Sequence, residues 1–101
     1  MKLKIFSFLA AAFFLATLTV NAQGYVSQQR TQEQMIRRAY KRGRVTPNEY
    51  NKLMKEQNAI KYAISKYRRD GVITPREQDV INGKLARSED RLARYKNNWE
   101  R

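Results

Sequence analysis

The chain has 101 residues, with 21 lysine and arginine side chains, 9 aspartate and glutamate side chains, and no histidine or cysteine. Without those two residue types it lacks the usual general base near neutral pH, the thiolate nucleophile and the common transition-metal ligands, so we expect no enzyme, no metal site and no cofactor. The formal net charge of +12 favours anionic partners and leaves the fold undetermined.

Residues 1–22 have the features of a secretory signal peptide. Lys2 and Lys4 form a positive start, an apolar run follows over 5–20, and Val20-Asn21-Ala22 is a small-residue pattern of the kind that precedes a cleavage site. The alternative is an uncleaved membrane anchor, but the run has about 16 residues whereas a spanning helix needs about 20. We therefore predict cleavage after Ala22, no transmembrane anchor in the remaining chain, and a periplasmic or secreted protein.

The chain after the predicted cleavage site is long enough for one small domain. We expect a flexible N-terminal segment at 23–29 and a helical bundle over 30–101. Because the chain has no cysteine, it has neither a disulfide nor a lipoprotein attachment site. A core of this size supplies only ~3–5 kcal/mol, so the pairing of two copies into a homodimer, or binding to a partner, would stabilise it further.

A repeated segment marks the boundaries between helices. Gly43-Arg44-Val45-Thr46-Pro47-Asn48-Glu49 returns 28 residues later as Gly71-Val72-Ile73-Thr74-Pro75-Arg76-Glu77. In each copy the glycine allows the positive φ that ends a helix, the threonine caps the next helix, and the proline suits its first position. The glutamate three residues after the threonine completes a capping box. The predicted capping residues are Thr46, Glu49, Thr74 and Glu77.

These two junctions divide the chain into three helices, at about 28–42, 47–69 and 75–99. Apolar residues recur at three- and four-residue steps in the second and third helices, with Gln57 and Ser88 as polar interruptions. The periodicity and the short junctions predict an all-α fold: a three-helix antiparallel, up-down-up, coiled-coil-like bundle.

The first predicted helix is shorter than the other two, at ~22 Å against ~35 Å. It would leave uncovered one end of the seam between the second and third helices, which carries Ala63, Ile64, Tyr67, Ile73 and Ile81. Tyr25 and Val26 could fold back over this end. Otherwise the end forms an apolar groove open to a second copy or to a client protein.

The segment Asp70-Gly71-x-Ile73-x-x-x-Glu77 is similar to the second half of an EF-hand calcium loop. Such a loop also takes oxygen ligands from its first, third and fifth positions, which here are Lys66, Arg68 and Asp70. One carboxylate among three positions is too few to hold calcium, so we interpret the acidic residues of both junctions as helix-end residues.

Basic residues concentrate at the two ends of the predicted bundle. In an up-down-up order the ends of the first and third helices meet at one pole, with Tyr40, Tyr95 and Trp99 interleaved. Arginine binds phosphate or carboxylate bidentately, and aromatic rings offer a stacking surface, so this combination suits a polyanion. Alternatively, the basic residues only complement the helix dipoles and the rings belong to the core. The predicted contact residues, which we call the basic pole, are Arg37, Arg38, Lys41, Arg42, Arg44, Arg91 and Arg94. The opposite pole carries Lys66, Arg68, Arg69 and Arg76.

The twin Gly-x-[Val/Ile]-Thr-Pro-x-Glu segments, in a basic helical chain behind a signal peptide, resemble those of a group of small exported bacterial proteins of unknown function. The closing Arg-Tyr-Lys-Asn-Asn is also similar to their ends. This resemblance implies a helical periplasmic or secreted protein and supplies no mechanism. The chain resembles the Spy/CpxP periplasmic chaperones only in class, since their Leu-Thr-x-x-Gln motif is missing here.

Two functions fit these features. The first is a binding protein that engages an anionic envelope polymer or surface, such as lipopolysaccharide, through the basic pole. The alternative is an ATP-independent chaperone-like or assembly protein that binds unfolded clients in an apolar groove. Nucleic acid fits the charge but not the predicted compartment.

Overall fold

The structure is a computed structural model that describes residues 22–99, and these residues form three α-helices and no strand. The prediction of an all-helical fold with three helices is confirmed. We number the helices α1 (Ala22–Lys41), α2 (Pro47–Arg68) and α3 (Pro75–Trp99). The predicted signal peptide lies, apart from Ala22, outside the described residues.

Both junctions end the preceding helix with a glycine at positive φ. Gly43 has φ 72° and Gly71 has φ 84°. In the first junction the Arg44 N–H donates to the Ala39 carbonyl at 2.9 Å, which satisfies a helix-end carbonyl that would otherwise lack a partner. A side chain with a Cβ is strained at this φ, so the glycines allow the chain to reverse within a few residues.

Both junctions also begin the next helix with a capping box. The Thr46 hydroxyl accepts the Glu49 N–H at 3.1 Å, and the Glu49 carboxylate accepts the Thr46 N–H at 2.9 Å. The corresponding distances between Thr74 and Glu77 are 3.2 Å and 2.9 Å. Each box satisfies backbone N–H groups that have no partner within the helix, which fixes where α2 and α3 start.

Helix α1 starts earlier than the sequence predicted. It begins at Ala22 rather than near residue 28, so the segment 23–29, which we expected to be flexible, is helical. The added turns bring Ala22, Tyr25 and Val26 against apolar residues of α2 and α3. Burial of these side chains favours helix in this stretch.

The core consists of two apolar clusters. The upper core joins the end of α1, the first junction, the first half of α2 and the second half of α3, through Ile36, Ala39, Val45, Leu53 and Leu92. The lower core joins α2, the second junction and the first half of α3, through Ile60, Ile64, Ile73, Ile81 and Leu85. The lower core is the region where the sequence left two alternatives. Tyr25 and Val26 pack against it, which is the first of the two alternatives, and not the open groove.

Candidate functional site

A buried polar layer separates the upper core from the lower core. Gln57 of α2 is fully buried, and its Nε2 donates to Gln32 Oε1 and to Ser88 Oγ, both at 3.0 Å. Its Oε1 accepts the Gln29 Nε2 at 2.9 Å. One side chain thus links all three helices, and the two polar interruptions in the sequence, Gln57 and Ser88, are partners. Because unpaired polar groups are costly inside a protein, this layer favours one register of the helices over others.

Glu33 connects this layer to the surface. Its carboxylate is 2.7 Å from Lys61 Nζ and 3.0 Å from Arg37 Nη2, and it accepts a hydrogen bond from Gln29 Nε2 at 3.0 Å. The hydrogen bond with Lys61, followed by that from Gln29, lowers the pKa of Glu33 to about 2. Glu33 is therefore ionised throughout the ordinary pH range, and it holds Lys61 and Arg37 on one side of the bundle.

Three residues of the predicted basic pole are engaged in ion pairs. Besides Arg37 with Glu33, the Arg94 Nε lies 3.2 Å from Asp90 Oδ2 on the exposed face of α3. The Arg91 Nε lies 3.2 Å from Glu56 Oε2 of α2, though without hydrogen-bond geometry. A hydrogen bond with Tyr95 and the charge of Glu56 raise the pKa of Arg91. These three cations are partly neutralised within the protein.

The other basic-pole side chains lie at the end of α1 and in the first junction. Arg38, Lys41 and Arg42 are exposed, and none of them forms an ion pair with a carboxylate of residues 22–99. Arg44 is exposed in the junction next to them. The structure therefore separates Arg37, Arg91 and Arg94, which face carboxylates, from an exposed set of Arg38, Lys41 and Arg42, which form no ion pair within residues 22–99.

Two of the three predicted aromatic residues of the pole can be placed. Tyr40 stacks on Tyr50 with ring centroids 4.3 Å apart and the planes inclined by 18°. Tyr95 is half-buried and packs against the upper core. The side chain of Trp99 lies outside the described residues. Tyr50 itself packs against the upper core, which includes Val45. The stacked rings therefore support the basic pole and also present an aromatic surface.

An apolar groove of about 490 Å³ runs between α1 and α3. Met35, Ile36, Leu85 and Leu92 supply its apolar lining, and Met35 is 43% exposed. Gln32 crosses its floor and donates to the Leu85 carbonyl at 3.0 Å. Sequence reasoning placed an apolar groove at the lower end instead. The sequence shows the four-residue step from Ile36 to Tyr40 on α1. It cannot indicate this groove, however, because the spacing between α1 and α3 depends on three-dimensional packing.

A second groove, of about 350 Å³, lies between α1 and α2. Its lining is more polar and carries three basic side chains, from Arg30, Lys61 and Arg68. Only Arg68 belongs to a basic cluster that the sequence predicted, at the opposite pole. Arg30 and Arg68 are 38 positions apart, so only the packing of the two helices brings them to one groove.

Neither a metal-binding cluster nor a membrane-spanning helix is present among the described residues. Within residues 22–99 no three acidic side chains cluster closely enough to hold a metal ion. None of the three helices in that range combines the length and the apolar character that crossing a membrane requires.

Comparison with known proteins adds no relative. No protein-family model, curated protein or solved structure matches this chain.

Proposed function

We propose that this chain is a small periplasmic or secreted binding protein that engages an anionic polymer or surface, such as lipopolysaccharide, through its basic pole. The observation that carries the proposal is the cluster of Arg38, Lys41 and Arg42. Arg38 and Lys41 lie in the last turn of α1, Arg42 follows that turn directly, and none of the three forms an ion pair with residues 22–99. Exposed, uncompensated cations on a rigid helix attract polyanions and bind them without first breaking internal contacts.

The proposal includes the up-down-up order of the helices. Its support is the pairing between them. Tyr40 stacks on Tyr50 while Gln29 bonds to Gln57, so residue numbers rise along α1 as they fall along α2. Arg91 pairs with Glu56 near the bond between Ser88 and Gln57, which gives the same relation between α2 and α3. In this order the end of α3 lies beside the end of α1.

We expect the two sets of basic residues to contribute unequally. Arg37, Arg91 and Arg94 already face carboxylates, so binding of a polyanion would have to compete with those pairs. Arg38, Lys41 and Arg42 face no such competition. The exposed set should therefore supply most of the affinity, with the paired set contributing to the surrounding field.

The test compares two triple variants with the same change in composition and charge. Arg38→Gln/Lys41→Gln/Arg42→Gln neutralises the exposed set. Lys66→Gln/Arg69→Gln/Arg76→Gln neutralises two arginines and one lysine at the opposite pole, all exposed. We expect the first to bind lipopolysaccharide about tenfold or more weakly than the wild type, and the second to bind nearly as well. Equal losses in the two variants would mean that net charge, and not the basic pole, determines binding.

The groove between α1 and α3 favours a second function, a chaperone-like or assembly role. Its apolar lining and the exposed thioether of Met35 suit a flexible apolar segment of an unfolded protein. In this case the chain would suppress the aggregation of a denatured client, and the effect would persist at high salt. Met35→Gln should reduce it, whereas Val80→Gln, which changes another exposed apolar side chain, should not. No suppression at any salt concentration excludes this function.

A further inference from the structure

The groove between α1 and α2 differs from both surfaces considered so far. It has a volume of about 350 Å³, near the lower limit of the ~300–1,000 Å³ typical of small-molecule sites. Its lining includes the buried Gln29 and Ile64, the hydroxyl of Ser65, the three basic side chains and the carboxylate of Glu33, which is paired with Lys61. It is therefore a small concave site whose lining carries a net positive charge.

The three cations of this groove are not equivalent. Lys61 Nζ is 2.7 Å from Glu33 Oε1, so much of its charge is compensated and its position is fixed. Arg30 of α1 and Arg68 of α2 are exposed and form no ion pair with any carboxylate of residues 22–99. The groove thus places two uncompensated guanidinium groups, one from each helix, around a single opening.

Complementing the helix dipoles does not explain both arginines. Arg68 is the last residue of α2, where a cation is favourable without any ligand. Arg30 lies in the middle of α1, far from either of its ends. Glu33 follows it by three positions, but that carboxylate pairs with Lys61 and Arg37 rather than with Arg30. The Arg30 guanidinium, which forms no ion pair within residues 22–99, is therefore available to an external anion.

We propose that this groove binds a phosphate group on a small polar scaffold, of the size of a sugar phosphate or a phosphorylated headgroup. Guanidinium groups bind phosphate through paired, charge-assisted hydrogen bonds, and two of them from different helices can hold one phosphate from both sides. The Ser65 hydroxyl can bond to the scaffold, whereas Lys61 and Glu33 neutralise each other and leave the two arginines as the net positive charge of the groove. This inference does not depend on the proposed function, because neither arginine belongs to the basic pole.

Calorimetric titration of the full chain with glucose 1-phosphate tests the proposal, with glucose as the uncharged control. A second titration uses phosphatidylcholine vesicles with and without phosphatidic acid. Two double variants with the same charge change are compared: Arg30→Gln/Arg68→Gln for this groove and Arg38→Gln/Arg42→Gln for the basic pole. All four arginines are exposed, and circular dichroism checks that both variants remain helical.

We expect the groove variant to weaken phosphate binding by about tenfold or more. If it loses glucose 1-phosphate while the basic-pole variant keeps the wild-type affinity, the ligand is a soluble phosphate ester. Phosphatidic acid vesicles are an anionic surface that the basic pole also attracts, so a lipid headgroup is indicated if glucose 1-phosphate does not bind and the groove variant weakens vesicle binding more than the basic-pole variant does. Equal losses of glucose 1-phosphate in both variants, no loss in the groove variant with either probe, a vesicle loss no larger than that of the basic-pole variant when glucose 1-phosphate does not bind, or no binding by the wild type to either probe would overturn the proposal. Loss of lipopolysaccharide binding only in the basic-pole variant tests the proposed function separately.

Discussion

Each end of the bundle contains one copy of the same junction motif, but different residues pack around the two copies. At the upper end the first junction carries Val45 into the upper core, where Tyr50 packs beside it and stacks on Tyr40. At the lower end the second junction carries Ile73 into the lower core, but the residue matching Tyr50 is Gln78, whose Nε2 donates to the Ile73 carbonyl at 3.3 Å. The capping chemistry is the same at both ends, whereas the packing around it is not.

This difference shows what a local motif can and cannot determine. Gly-x-[Val/Ile]-Thr-Pro-x-Glu fixes where one helix ends and the next begins, because all of its hydrogen bonds are short-range. The cover over each end comes from distant residues. Aromatic rings beside the junction brace the upper end, and the first turns of α1 cover the lower end. At the upper end, the exposed cations therefore lie on a surface that packed aromatic rings support.

The largest expected effect tests whether both ends contribute equally to stability. Ile36 and Ile73 are each 1% exposed, one in the upper core and one in the lower core. Ile36→Ala and Ile73→Ala should each lower the free energy of unfolding by about 3 kcal/mol, from lost burial and a cavity. Urea denaturation at low temperature measures the change in the free energy of unfolding. The milder variants Ile36→Val and Ile73→Val should each lower it by about 1 kcal/mol. A near-zero effect at one end alone would show that this end contributes little.

The next effect concerns the polar layer between the two ends. Gln57→Ala removes the hydrogen bonds of Gln57 with Gln29, Gln32 and Ser88, so that the Gln32 Oε1 and the buried Ser88 hydroxyl lose this partner while Gln29 keeps only its bond to Glu33. We expect a loss of about 2 kcal/mol in the free energy of unfolding. Asn58→Ala, at the neighbouring exposed position, is the control and should change it little. If the two variants prove equally stable, the layer does not stabilise the fold.

The two capping boxes allow a direct comparison of the junctions. Thr46→Ala and Thr74→Ala each remove a hydroxyl that accepts a backbone N–H. Each should cost about 1 kcal/mol in the free energy of unfolding, measured by thermal or urea denaturation. Since the boxes have nearly the same geometry, the two losses should agree within a few tenths of a kcal/mol. A much larger loss at the first junction would mean that the Tyr40–Tyr50 stack depends on its cap.

The smallest effect is the pH dependence that Glu33 contributes. Its pKa is lowered from 4.5 to about 2 in the folded chain, so its contribution is complete above pH 4.5 and is lost as the pH falls towards 2. Because Lys61 and Arg37 are about half exposed, screening reduces this contribution to about 1 kcal/mol at neutral pH. Glu33→Gln should be less stable than the wild type at pH 7 and lose less stability between pH 4.5 and 2. Parallel stability curves over that range would contradict this assignment.

The boundaries of α2 and α3 were predictable from the sequence because their signals are local. The predicted starts at residues 47 and 75 match Pro47 and Pro75. The start of α1 was missed by several residues, since the helix at 23–29 depends on the packing of Tyr25 and Val26 against the lower core. The periodicity of one segment cannot reveal a helix that is stabilised by contacts with other helices.

The candidate sites were less predictable than the fold. The sequence indicated a basic pole but could not separate Arg38 from Arg91, because the pairing of Arg91 with Glu56 depends on the packing of α3 against α2. Gln57 and Ser88 looked like interruptions in two separate helices, whereas they bond to each other. The groove between α1 and α2 was missed for the same reason, since Arg30 gave no local signal.

The most direct test of the central claim is the salt dependence of lipopolysaccharide binding. We expect the logarithm of the wild-type association constant to fall linearly with the logarithm of salt concentration, as counterions are released. Arg38→Gln/Lys41→Gln/Arg42→Gln should reduce this slope by about two to three, close to one for each cation removed. Lys66→Gln/Arg69→Gln/Arg76→Gln should leave the slope near that of the wild type. If both variants keep the wild-type slope, or if both reduce it equally, the exposed cations of α1 are not the contact surface.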